Sequence, residues 1–227
     1  MDYAEIARAE TERGELVLRE RRPAVGPTAV ELRANGVFVM DTVEVATERA
    51  LAGAALQLVE QPSAVVVAGL GLGFTMHEVL ADSRVQKCAV VEIEEALVRW
   101  MREGTIAHGP ALMADARVTV VVADIAVAIA EAGPASYDLI LLDVDNGPGY
   151  LVHDTNEALY QAPFLSATRD VLRPGGALAV WSAAEAPELA DTLGEVFGEV
   201  TVQSHDVLLQ DRDERYWLYA ARVPSRR

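Results

Sequence analysis

Apolar runs alternate with stretches of helical periodicity from Ser63 onward. Short runs near 64–68, 88–92, 117–122, 137–143 and 177–181 read as buried strands, and apolar residues at helical spacing predict helices near 74–81, 94–103, 125–131, 156–172 and 186–197. Strands that alternate with amphipathic helices define an α/β fold with a doubly wound, mostly parallel sheet. The turn Arg173-Pro-Gly-Gly176 separates the fourth helix from the fifth strand. After Gly198 the pattern changes to two strands, about 199–209 and 215–222, joined by the charged segment Gln210-Asp-Arg-Asp-Glu214. That hairpin places an antiparallel strand in a seven-stranded sheet.

The first sixty residues follow another rhythm. Glu15-Leu-Val-Leu-Arg19, Ala29-Val-Glu-Leu-Arg33 and Val37-Phe-Val-Met40 are short runs separated by Pro23, Gly26-Pro27 and Asn35-Gly36, the last a type I′ hairpin signal. A small antiparallel sheet is expected. From Thr47 to Glu60, Ala50, Leu51, Ala54, Leu58 and Val59 recur at helical spacing and the run ends near Pro62. The expected division is therefore a β region with a linking helix over 1–62 and a nucleotide-binding unit over 63–227.

The run Ala64-Val-Val-Val-Ala-Gly-Leu-Gly-Leu-Gly-Phe-Thr75 carries the first chemistry. A strand that opens into glycines lets backbone approach a ligand, and the carboxylate of Glu92 ends the following strand. The dinucleotide fingerprint G-x-G-x-x-G fails here, because its third glycine falls on Phe74 or on Met76. Gly69, Gly71 and Gly73 form G-x-G-x-G instead, which suits an adenosine-containing ligand without a pyrophosphate. A glycine trio alone is also compatible with a purely structural tight turn. Acidic residues recur at the strand ends: Glu92, then Asp124, then Asp143 with Asp145 and Asn146 just beyond. Ligands of such sheets bind beyond those ends, so the three carboxylates are expected around one pocket, although Asp124 also stands where a helix N-cap would.

Charge narrows the partners. Nineteen basic against thirty-five acidic residues give a net charge of −16, which repels nucleic acid and attracts a cationic substrate, though an acidic surface also serves solubility. No stretch approaches 18 uninterrupted apolar residues, so no membrane partner is expected and the protein reads as cytoplasmic. The lone Cys88 lies in an apolar strand as a small hydrophobe. His77, His108, His153 and His205 are scattered without metal-ligand spacing, so no metal is expected.

From Val65 to Val98 and from Arg117 to Pro148 the chain resembles the polyamine aminopropyltransferases, the spermidine synthase family, within the class I S-adenosylmethionine-dependent methyltransferase fold. The resemblance rests on the glycine loop from Gly69 to Thr75, on Val91-Glu-Ile-Glu94, on Ala123-Asp-Ile125 and on Tyr137-Asp-Leu-Ile-Leu-Leu-Asp-Val-Asp-Asn-Gly-Pro148. It implies that Glu92, beside Ile93, holds ribose hydroxyls, that Asp124 and Ile125 frame adenine, and that Asp143 is the catalytic carboxylate facing an amine. Candidate acceptor-site residues are Asp145, Asn146, Tyr150 and His153, with Asn156 and Tyr160 nearby. His153 is read as a base or as an exposed loop residue, Tyr160 and Trp181 as core aromatics, and Phe74 as a cover for the cofactor or a staple for its helix. The family's aspartate in the glycine loop, which contacts the aminopropyl amine, stands here as Leu72; its hairpin glutamine stands as Val39 and its Tyr-His pair as Ala46-Thr47. These replacements favour methyl transfer from S-adenosylmethionine to a small cationic amine. Aminopropyl transfer from decarboxylated S-adenosylmethionine is the alternative, a non-catalytic adenosine-ligand binder is the alternative of another class, and the glycine spacing speaks against a nicotinamide-dependent oxidoreductase. The resemblance also implies a homodimer.

Overall fold

The computed structural model describes residues 2–225 apart from positions 146, 150, 152, 210 and 211, and, at 207–209, the backbone alone. Asn146 and Tyr150, both expected in the acceptor site, lie outside the described residues.

Two sheets carry the fold. The N-terminal one orders β1 (Asp2–Thr11), β2 (Gly14–Arg22), β3 (Ala29–Ala34) and β4 (Val37–Asp41) as an antiparallel meander. The β3–β4 turn has Asn35 and Gly36 at φ 52° and 76°, the left-handed pair that the Asn-Gly signal requires. Asn35 also braces the β1–β2 turn, its Oδ1 accepting from the Glu15 amide at 2.9 Å and its Nδ2 donating to the Arg13 carbonyl at 3.1 Å. Helix α1 (Ala46–Leu58) then leads into the larger sheet.

That sheet contains β5 (Ala64–Ala68), β6 (Lys87–Glu92), β7 (Val118–Val122), β8 (Tyr137–Leu142), β9 (Leu172–Ser182), β10 (Val200–Leu209) and β11 (Arg212–Arg222). Their order is β10-β11-β9-β8-β5-β6-β7, with β11 antiparallel to both neighbours and β5 to β9 parallel. Every residue of β5 is buried, as a central strand covered on both faces demands. Strand order reverses between β5 and β8, the switch point where such sheets open a ligand crevice. Helices α2 (Phe74–Ala81), α3 (Glu95–Glu103), α4 (Gly109–Met113), α5 (Ile125–Glu131), α6 (Ala162–Val171) and α7 (Pro187–Phe197) follow the strands. One apolar cluster runs from Leu16, Leu18 and Leu32 of the small sheet through Leu51 of α1 to Val65, Val67 and Trp181 of the large one. Burial of that shared surface fixes the small sheet over the large sheet's C-terminal edge.

The structure departs from the sequence-based expectations at four places. The helix expected over 156–172 is a 3-10 turn (Asp154–Tyr160) followed by α6, because Pro163 cannot donate within a continuous helix and instead starts the new one. Arg173 to Gly176 belongs to β9, whose register shifts between Tyr137 and Leu139 of its neighbour. Strand β1 was not expected: it is an edge strand, exposed along most of its length, and so shows no apolar run. The short α4 lacks a full amphipathic repeat and was likewise unexpected.

Within the small sheet, Glu31 and Asp41 are buried and both bind Arg21, at 2.6 and 2.9 Å. Asp41 also accepts from the amides of Val43 and Glu44 at 2.8 and 2.9 Å, which turns the chain into α1. The packing of β4 thereby sets where the first residues of α1 lie.

Candidate active site

The C-terminal ends of β5, β6, β7, β8 and β9 open into one cavity roofed by β2, β3 and β4. Gly69 and Gly71 line it with positive φ, 93° and 50°. A side chain at Gly69 would overlap the Asp143 carbonyl, and one at Gly71 would lie 2.6 Å from the Met40 sulfur, so bare backbone is a requirement of this wall. Gly73 is different. It is the left-handed N-cap of α2, packs against Met101 and Leu112, and does not line the cavity.

Glu92 is buried at the end of β6. Its Oε2 accepts from the Leu70 amide and its Oε1 from the Glu94 amide, both at 2.8 Å, so the carboxylate ties the glycine loop to the next turn. Burial pushes its pKa up, and those amides pull it back. Ile93, Ala123 and Ile125 add an apolar stretch beside it. Asp124 lines the same wall, while its Oδ1 accepts from the Ala126 amide at 2.7 Å and caps α5. Both readings of Asp124 hold together.

Asp143, at the end of β8, faces the cavity half-buried. Desolvation raises its pKa to about 6, opposed by the Thr75 hydroxyl, which donates to Oδ2 at 2.6 Å. Across from it stands Glu48 of α1, 8% exposed, raised to about 7 first by burial and then by the charge of Asp143. Thr47 donates to it at 3.0 Å. Among the described residues neither Glu48 nor Asp143 forms an ion pair with a basic side chain.

Asp145 takes a left-handed φ of 55° and accepts from Asn156 Nδ2 at 2.7 Å. Asn156 in turn receives Arg13 from the β1–β2 turn at 3.4 Å, and Arg13 Nε lies 3.7 Å from Glu94. His153 lines this mouth partly buried, its pKa lowered by desolvation and then by Arg13, which leaves the ring neutral near pH 7. Tyr160 is buried and donates to the Val144 carbonyl at 2.9 Å, and Trp181 is buried as expected but also lines the cavity. Phe74 meets His108 in a tilted ring contact, centroids 5.1 Å apart, and does not line the cavity. Residues the sequence reading passed over are Glu48, Thr75, Arg13 and Met40.

A glycine-lined crevice at the switch point, with carboxylates at three successive strand ends, marks the methyltransferase-like α/β class of fold. The chain belongs to the spermine/spermidine synthase domain family, whose model matches residues 44–197. It is 32% identical over 152 residues to polyamine aminopropyltransferase 2 of Pseudomonas aeruginosa, a match covering 62% of this chain and 41% of that protein. It is also 32% identical over 120 residues to putrescine N-methyltransferase 3 of Nicotiana tabacum, covering 52% of this chain and 29% of the relative. The chain thus spans less than half the length of these curated relatives. The crystal structure of spermidine synthase from Thermotoga maritima superposes with a TM-score of 0.79 over 96% of this chain and 72% of that one, at 18% identity, a likeness of fold.

Proposed function

We propose that the chain transfers an aminopropyl group from decarboxylated S-adenosylmethionine to a primary amine of a small polyamine. The sign of charge around the cavity carries this reading. Glu48, Glu92, Glu94, Asp124, Asp143 and Asp145 face it, whereas Arg13 is the sole Lys or Arg along its described wall and already neighbours Glu94. Ordinary S-adenosylmethionine would bring a carboxylate into that field; the decarboxylated donor brings only positive charge. The aminopropyltransferase among the relatives supports the same choice.

The residues present suit the donor. Bare backbone at Gly69 and Gly71 leaves room for an extended ligand across the loop, Ile93, Ala123 and Ile125 offer an apolar slot for a purine, and Glu92 offers its remaining lone pairs to ribose hydroxyls. Asp124 would border the base while capping α5. When bound, the sulfonium supplies a carbon already activated toward a nucleophile, and the C–S bonding pair leaves with sulfur as a neutral thioether. Asp143 holds the attacking amine and accepts the proton that nitrogen gives up as its bond to that carbon forms. A carboxyl raised to about 6 is ionised at neutral pH yet more basic than an exposed aspartate, which suits that role. Asp145, His153 and Asn156 border the acceptor's path.

Methyl transfer from ordinary S-adenosylmethionine is the second reading, favoured by Leu72. Its side chain is fully buried, leaving no carboxylate where the resemblance expects the partner of the aminopropyl amine. The N-methyltransferase relatives point the same way. Incubation with 1,4-diaminobutane and each donor in turn, followed by mass spectrometry, tests the choice. The expected product is the diamine heavier by one aminopropyl group, formed from the decarboxylated donor. Methylated diamine formed only from the ordinary donor, or no product from either, would overturn it.

A further inference from the structure

The strand order splits the cavity into two halves with Asp143 at their boundary. The glycine loop after β5, Glu92 after β6 and Asp124 after β7 lie on one side; Trp181 at the end of β9 lies on the other, backed by Tyr216 of β11, which does not itself line the cavity. Glu48 belongs to the second half, since it lines the cavity from α1, which packs over β8, β9 and β11. Trp181 and Tyr216 meet edge to face with centroids 4.9 Å apart, so the Tyr216 ring braces the indole that an alkyl chain in the cavity can lie against. The Trp181 indole N–H is buried without a hydrogen-bond partner.

A buried carboxylate facing another with no cation between them is costly, and a ligand cation removes that cost. An unpartnered indole N–H in the same wall leaves this end of the cavity open to a further polar contact from a ligand or water. Resting on the aminopropyltransferase reading, we infer that Glu48 is a specificity-determining residue that, beside Trp181, binds the far amino group of an α,ω-diamine whose near amino group sits at Asp143. The protonated far nitrogen donates its N–H to Glu48, and its alkyl chain lies against Trp181. A quaternary ammonium has no N–H to donate.

Calorimetry of the full chain saturated with 5′-methylthioadenosine tests this with 1,4-diaminobutane and 1-aminobutane as paired probes. The parent protein is expected to bind the diamine at least about tenfold tighter than the monoamine, the size of one charge-assisted hydrogen bond. Glu48→Gln removes that preference and leaves the monoamine and nucleoside affinities within about twofold; Glu48→Asp restores part of it. A preference that survives Glu48→Gln, or a variant that weakens both amines equally, overturns the role of Glu48 while the acceptor reading stands. If the parent binds neither amine, the acceptor reading falls and this inference with it. Unchanged nucleoside binding establishes that the variant is folded.

Discussion

Glu48→Gln is expected to stabilise the ligand-free protein by an amount that grows with pH. The carboxyl moves from its ordinary 4.5 to about 7 in the fold because it is buried opposite Asp143. Between those values the folded chain keeps the proton and the unfolded chain releases it. The folded state therefore binds more protons, and stability falls as pH rises through this window. Below about 4.5 the penalty is absent, and above about 7 it is complete. A shift of 7 − 4.5 = 2.5 units, at roughly 1.4 kcal/mol per unit, gives a penalty of about 3 kcal/mol. Glutamine cannot ionise, so the variant escapes this penalty, including the part that comes from the charge of Asp143. Urea unfolding of parent and variant at pH 5 and pH 8 measures the effect. The advantage of the variant should widen by about 2 kcal/mol between the two, near 1 M in midpoint for a typical slope. A difference that stays constant with pH would refute the burial argument for Glu48 and weaken the case for a cation between it and Asp143.

Further predictions concern neighbouring groups. Thr75→Val should raise the acid limb of the kcat/KM profile by about one unit, since it removes the hydroxyl that holds Asp143 ionised, while Thr75→Ser keeps the parent profile; an unmoved limb in the valine variant refutes a positioning role. Gly69→Ala should destabilise the fold by about 3 kcal/mol or more, read as a sharply lower urea midpoint, because the new methyl group overlaps the Asp143 carbonyl and φ is 93°. Arg21→Met should cost about 3 kcal/mol in urea unfolding at pH 7 by leaving Asp41 buried without a cation and Glu31 with Arg19 alone; a loss below about 1 kcal/mol contradicts the buried-network account.

Much of this architecture was legible because apolar runs and glycines report backbone needs directly. β5 is buried on both faces and therefore reads as an unbroken apolar run, and Asn35-Gly36 forms the turn its conformational freedom suggests. Glu92, Asp124 and Asp143 share one cavity because strand ends in a parallel sheet converge at its switch point. Gly73 was misjudged, since a glycine that admits Met101 looks the same in sequence as one that admits a ligand. Glu48 escaped notice although a signal exists: it stands three and four residues before Leu51 and Ala52, on the buried stripe of α1. A carboxylate on an apolar stripe is a candidate site residue. Arg13 and Met40 reach the cavity from the small sheet, and contacts between sheets so distant in sequence leave no periodic trace.

Asp143 is the centre of the account, and turnover by Asp143→Asn set against its binding affinities tests it most directly. The account predicts that kcat falls by about a hundredfold or more while 5′-methylthioadenosine affinity stays within about twofold, because a carboxamide keeps the shape but cannot take the amine's proton. Unaltered kcat in that variant would contradict it.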